Sequence, residues 1–235
     1  MLIKLCGLTR AADAQAANAA APDFAGFVID VPGRRRSIDA DAVAALSRGL
    51  DEGIVRVGVF VDEPPERVAS LVTGHAIDAV QLHGHEDEAY LANLRALLRE
   101  PGAFTGSAAV VPDGAFDAGA RPTRERWRGR IVRAFRVRGA DDVRAARETS
   151  ADAVLLDGGA GEGRAFDWEL LSGFPRAFFL AGGLSPENVG EAVRRVRELS
   201  GSALIGVDMS SGVETEHVKD PVKMAAAVAK VRSIS

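Results

Sequence analysis

The 235 residues carry 29 basic and 33 acidic side chains, a net charge of -4, and are 47% hydrophobic and 26% charged. That much apolar material builds a sizeable core and excludes a disordered chain, while the slightly acidic balance excludes a general binder of nucleic acid or anionic membranes. One cysteine, Cys6, excludes an internal disulfide, and no basic segment followed by a long apolar one opens the chain, so a soluble cytoplasmic protein is expected.

The length suits a single α/β barrel, which commonly takes about 200–250 residues. Ile3 to Cys6 reads as a buried strand and the Ala-rich stretch Ala11 to Ala21 as a helix stopping near Pro22. Phe24 to Ile29 is a second strand, followed by a loop carrying Arg34, Arg35 and Arg36. Ser37 or Asp39 then caps a helix over Ala40 to Leu50. Ile54 to Val61 is the third strand, with Pro64 and Pro65 at the start of a helix running to about Thr73. Ala79 to Leu82 is the fourth, ending in His83, and Glu86 to Arg99 is its helix.

Glu100 to Arg130 breaks the rhythm, with Pro and Gly too frequent for a regular element, and reads as an inserted loop between helix 4 and strand 5. The pattern resumes with a strand over Ile131 to Val137 and a helix over Asp141 to Thr149. Ala153 to Leu156 is a strand ending at Asp157, and the glycine-rich Gly158 to Gly163 leads to a helix around Trp168 to Leu171. Ala177 to Leu180 ends in Ala181, Gly182 and Gly183, after which Ser185, Pro186 and Glu187 start a helix. Leu204 to Val207 is followed by Asp208, Ser210, Ser211 and Gly212, and Asp220 to Val231 closes the chain as a helix. Eight apolar strands alternating with eight helices predict parallel βαβ units in one (β/α)8 TIM barrel spanning 1–235.

In such a barrel the chemistry sits at the C-terminal ends of the strands, and the loops after strands seven and eight often hold phosphate. Gly182 and Gly183, with Ser210, Ser211 and Gly212, offer bare backbone N–H groups near helix starts, suited to an anion. Asp157 emerges from the apolar wall of Val154, Leu155 and Leu156. That setting raises a carboxyl pKa and suits a general acid, although a solvated loop Asp is an equal reading of that residue alone. A free Cys is more often a small buried hydrophobe. Cys6, however, ends strand one on the same face, and positive surroundings would lower its pKa and make it a base. An acid and a base facing each other suit isomerisation by proton transfer. His83 and His85 have no further cluster to make a metal site; His83 reads as structural or substrate-facing, and His75, His85 and His217 as surface residues. One arginine of the Arg34–Arg36 run is suited to binding a carboxylate bidentately.

KLCGLTR at Lys4 to Arg10, GFV at Gly26 to Val28, VGVFVD at Val57 to Asp62, VQLHGHE at Val80 to Glu86, LLD at Leu155 to Asp157, FDW at Phe166 to Trp168, LAGGLSPENV at Leu180 to Val189 and GVDMSSGVE at Gly206 to Glu214 together resemble the phosphoribosylanthranilate isomerase family of tryptophan biosynthesis. The resemblance implies a metal-free, cofactor-independent Amadori rearrangement of N-(5-phosphoribosyl)anthranilate to 1-(2-carboxyphenylamino)-1-deoxyribulose 5-phosphate. By that pattern Asp157 is the general acid and Cys6 the base that takes the C2 proton. Arg36 faces the anthranilate carboxylate, and phosphate lies against Gly182, Gly183, Ser210, Ser211 and the turn containing Gly161 and Gly163. His83 and Asp208 complete the substrate-binding set. The expected partner is the small phosphosugar, with the chain a monomer or homodimer. Two other phosphate-binding barrels fit less well: the histidine-pathway sugar isomerase pattern uses two Asp where Cys6 stands, and the indoleglycerol-phosphate synthase pattern needs an early lysine-rich stretch. A non-catalytic phosphosugar-binding barrel would have no use for both Cys6 and Asp157.

Overall fold

A computed structural model describes residues 1–99, 121–159 and 166–234. The apolar runs become strands β1 (Leu2–Cys6), β2 (Phe24–Ile29), β3 (Val55–Phe60), β4 (Ala79–Leu82), β5 (Ile131–Arg136), β6 (Ala153–Asp157), β7 (Phe178–Ala181) and β8 (Leu204–Met209). Each pairs in parallel with the next, and β8 returns to β1, so these eight strands close into a TIM barrel. Alternate residues of each strand face opposite sides. Ile3 and Leu5 pack outward against the helices, while Leu2 joins Phe24, Val55, Ala79, Val132, Ala153, Phe179 and Ile205 inside the barrel.

Among the described residues, seven helices cover the outside: Ala11–Ala20, Ala40–Arg48, Pro65–Thr73, Glu88–Arg99, Ala140–Glu148, Val189–Ser200 and Pro221–Arg232. Asp39, rather than Ser37, caps the second, accepting from the Ala42 N–H at 2.8 Å. Ser37 instead accepts from the Val31 N–H at 2.7 Å and, with Ile38, adds a two-residue strand to β2. Between β6 and β7 the expected helix is one 3-10 turn, Trp168–Leu171, capped by Asp167. The next helix starts at Val189, not at Ser185. Asn188 accepts from the Ser185 N–H at 2.8 Å and donates to the Gly183 carbonyl at 2.9 Å, curling 185–188 into a turn.

The expected loop at Glu100 to Arg130 is narrower than its composition suggests. Residues 100–120 lie outside the described residues, but Thr123 accepts from the Arg126 N–H at 3.2 Å and caps a helical turn at Arg124–Trp127. Trp127 is buried, edge-on to Phe24 at 4.6 Å and Phe179 at 6.2 Å, and plugs the barrel floor. Arg124 ties this turn to the carbonyls of Leu50, Asp51 and Ile54. Few apolar residues mark the turn in sequence because a single large ring supplies the burial.

One device recurs at the floor. Asp23, Asp78 and Asp152 each immediately precede an even-numbered strand, and each carboxylate accepts the backbone N–H of an early residue in the preceding odd one. The donors are Ile3 at 2.8 Å, Arg56 at 2.9 Å and Ile131 at 2.7 Å. Each carboxylate also meets an arginine: Arg232, Arg56 and Arg95 respectively. These bonds seal strand starts that neighbouring backbone leaves unpaired.

Candidate functional site

The inward alternation of β1 carries Leu2, Lys4 and Cys6 from the floor to the mouth. Cys6 is buried, and its carbonyl accepts from the Ser210 hydroxyl at 2.9 Å. Gly7 adopts φ +79°, and a Cβ there would stand 2.6 Å from Arg36 Cδ, so only glycine fits. Opposite Cys6 on β2, Gly26 leaves room for two side chains at once: a Cβ would meet Cys6 Sγ at 2.8 Å and Lys4 Nζ at 3.0 Å. Lys4 Nζ thus borders the same space as the thiol and donates to both oxygens of Asp208 at 3.1 Å. Burial pushes the Cys6 thiol up, and the Lys4 ammonium recovers only part of that shift. The expected lowering is therefore reversed: removing water costs the thiolate more than one neighbouring cation returns, because that cation is shared with Asp208.

Asp157 ends β6 in register with Ala181 of β7 and Arg136 of β5. Burial does push its carboxyl up, as the apolar wall suggests. His83, the Gly159 N–H at 2.8 Å and the Arg136 guanidinium outweigh burial, so Asp157 is held below the ordinary carboxylate range. Its expected raised pKa is thus also reversed, by partners from loops and neighbouring strands. His83 Nε2 faces Asp157 Oδ2 at 3.6 Å, and Gln81 Nε2 lies 3.3 Å from His83 Nδ1.

Arg36 is the member of its run that turns inward; Arg34 is exposed. Arg36 donates through Nε at 2.6 Å and Nη2 at 2.8 Å to Glu214. Glu214 also accepts from Lys219 at 2.8 Å and Arg35 at 3.2 Å. Burial would raise this carboxyl, but Arg36 and Lys219 hold it at about 2. Lys219 donates in turn to the Ser210 carbonyl at 2.9 Å. Glu214 thus fixes one edge of the Arg36 fork and leaves the Nη1 edge for another carboxylate. Asp208, expected to touch substrate, has both oxygens engaged by Lys4.

Gly182 and Gly183 adopt φ +100° and +64°. A Cβ on Gly182 would come within 2.6 Å of the Gly158 backbone nitrogen, and one on Gly212 within 2.0 Å of the Leu184 carbonyl oxygen. The loops after β7 and β8 therefore touch backbone to backbone, with Ser210 partly buried and Ser211 exposed beside them. Gly161 and Gly163 lie outside the described residues. His85 is solvent-exposed and pairs with Asp62 at 2.9 Å; His75 and His217 are exposed. Among the described residues no group of three His, Cys, Asp or Glu side chains is arranged to hold a metal ion, and no helix is long and apolar enough to cross a membrane.

The structure brings Cys6, Arg36, His83, Asp157, Gly182, Gly183 and Ser210 to the expected end of the barrel. Reading residues one at a time missed Lys4, Gln81, Glu214 and Lys219 as parts of the site. For the first two the signal was available: both are polar residues inside apolar strands, two positions before Cys6 and His83, and so on the same inward face.

Comparison with known proteins finds relatives along nearly the whole chain. A family profile described as N-(5'phosphoribosyl)anthranilate (PRA) isomerase matches residues 3–107 and 123–230. The N-(5'-phosphoribosyl)anthranilate isomerase of Endomicrobium trichonymphae is 36% identical over 237 residues, covering 99% of this chain and 98% of its own. That of Dechloromonas aromatica is 37% identical over 234 residues, covering 98% and 95%. The crystal structure of phosphoribosyl anthranilate isomerase from Thermus thermophilus superposes over 100% of both chains with TM-score 0.74 and 31% identity. Another phosphoribosyl anthranilate isomerase, solved in complex with reduced 1-(o-carboxyphenylamino)-1-deoxyribulose 5-phosphate, superposes over 99% of both chains with TM-score 0.72 and 27% identity.

Proposed function

Because the chain belongs to the N-(5'-phosphoribosyl)anthranilate isomerase family and its activity is that isomerisation in tryptophan biosynthesis, we propose that Cys6 and Asp157 carry the proton transfers. The protonated Asp157 gives its proton to the ribose ring oxygen as the C1–O bond breaks and the anthranilate nitrogen forms the C1 iminium. The Cys6 thiolate then takes the C2 proton, and the C–H electron pair closes the enolamine. Return of the thiol proton to C1 and of the 2-hydroxyl proton to Asp157 gives the ketose and restores both groups. The observation that carries this reading is the convergence of a buried thiol and a strand-end carboxylate on the mouth of one barrel, beside two glycine-bearing loops.

The remaining residues take binding roles. The free edge of Arg36 receives the anthranilate carboxylate, and Gly182, Gly183, Ser210 and Ser211 receive phosphate, joined by Gly161 and Gly163. His83 holds Asp157 and meets the sugar, while Asp208 acts through Lys4. The protein works in the cytoplasm, as a monomer or homodimer, with no metal or cofactor.

Asp157 below its ordinary range and Cys6 above it leave one proton on the pair in the free enzyme, on the thiol. The active arrangement needs the same one proton, on the carboxyl.

Purified protein given freshly prepared N-(5-phosphoribosyl)anthranilate should consume it, read as loss of anthranilate fluorescence. A preparation that binds the compound without consuming it would support the binding-protein alternative. Arg36→Met should raise KM by roughly 10- to 100-fold, the worth of a charge-assisted hydrogen-bonded pair, with kcat changed only a few-fold. An unchanged KM would assign the carboxylate to another residue.

A further inference from the structure

We propose that Lys4 is a positioning residue that governs the ionisation of Cys6, with Asp208 as the counter-charge that sets how much of the lysine's field reaches the thiol. This rests on the reading of Cys6 as the base. Lys4 is a buried lysine inside the first strand, and its terminal atom shares with Sγ the space that Gly26 leaves open. Burying an ammonium in a barrel interior costs several kcal/mol unless it is paired, so its presence there needs a reason beyond packing. Asp208 supplies the pairing from β8, and both oxygens are used.

The other charges near the thiol come from different elements and are already committed. Arg36, from the loop after β2, and Lys219, beyond β8, both donate to Glu214. Lys4 shares with the sulfur the space above Gly26, and its effect on the thiol is larger than that of Asp208 or Lys219. When Cys6 takes the C2 proton, the ammonium keeps its own; it stabilises the thiolate before transfer and is released toward Asp208 afterwards.

The test uses the fact that the chain has one cysteine. The ultraviolet absorbance of the thiolate, followed against pH with Cys6→Ala as the blank, reports this sulfur alone. Lys4→Met should move the titration midpoint upward by about one to three pH units, the usual effect of losing an adjacent opposite charge. Lys4→Met combined with Asp208→Asn leaves no lone buried charge, and so guards against misfolding; it should also titrate above wild type. Asp208→Asn alone should titrate below wild type. A purely structural pair would move both single variants the same way. An unmoved midpoint in both Lys4 variants, or equal-signed shifts for Lys4→Met and Asp208→Asn, would overturn the proposal. If the midpoints move as expected but wild type consumes no substrate, the role of Cys6 as base fails and the control of its ionisation stands. If Cys6→Ala abolishes turnover while the midpoints stay fixed, the reverse holds.

Discussion

Cys6→Ala and Asp157→Asn should each lower kcat by about 10²–10⁴-fold, the usual worth of a positioned acid or base, in proteins that remain folded. Cys6→Ala removes one buried sulfur and leaves Lys4 its Asp208 partner, so no charge is orphaned. Asp157→Asn keeps an oxygen for the Gly159 N–H but has no acidic proton to give. The double variant should cost about as much as the worse single one, because half of a proton-sharing pair transfers nothing. Steady-state turnover with circular dichroism on each variant checks this. Near-normal kcat in either single variant would remove that residue from the mechanism.

The largest stability loss is expected at the barrel floor. Asp78 is fully buried and accepts from the Arg56 backbone N–H at 2.9 Å, Arg56 Nε at 2.8 Å and Arg56 Nη2 at 2.5 Å, with Arg124 Nε 3.7 Å away. Asp78→Ala would leave the buried Arg56 guanidinium without its counter-charge and the start of β3 without an acceptor. Breaking a buried pair by removing one partner costs about 3–5 kcal/mol, a large share of the roughly 5–15 kcal/mol that holds a domain folded. Urea unfolding followed by circular dichroism should show a midpoint well below wild type. Exposed pairs such as Arg144 with Asp141 should matter far less; Asp141→Ala is expected to cost under about 1 kcal/mol. A midpoint for Asp78→Ala within error of wild type would mean that water replaces the carboxylate.

The barrel was legible in sequence because its strands are buried on both faces and so read as unbroken apolar runs, set apart by amphipathic helices and Gly or Pro turns. Boundaries failed where side chains recapture local hydrogen bonds. Asn188 holds 185–188 as a turn, so the helix expected to start at Ser185 and Pro186 begins at Val189. Trp127 was hidden in a segment rich in turn formers because its value lies in what it touches across the barrel, Phe24 and Phe179, and not in any local period.

The site residues at strand ends were legible for the same reason as the strands. Their electrostatics were not. The wall of Val154, Leu155 and Leu156 argues for a raised Asp157, but His83 from β4's end and Arg136 from β5 decide the sign. Positive surroundings argue for a lowered Cys6, but those cations are shared with Asp208 and Glu214. The Asp157 reversal arises chiefly from partners on neighbouring strands and the Cys6 reversal from burial, and no local pattern records either. The short hairpin after β8 is a further case. Glu216 and His217 hold positive φ of 50° and 70° in a two-residue turn where glycine would be the usual choice, and that turn brings Glu214 and Lys219 together.

The central claim is that Cys6 and Asp157 share a single proton throughout the working pH range, and the pH dependence of kcat/KM tests it most directly. Below the lowered pKa of Asp157 both groups are protonated and no base remains; above the raised pKa of Cys6 both are ionised and no acid remains. Between those limits the pair holds one proton at every pH. Measured above about pH 7, clear of the substrate phosphate's own ionisation near pH 6, kcat/KM should therefore be level and then fall at the alkaline end. A kcat/KM that instead climbs tenfold per pH unit from neutrality would mean that the thiolate works without a proton on Asp157, and would contradict the account.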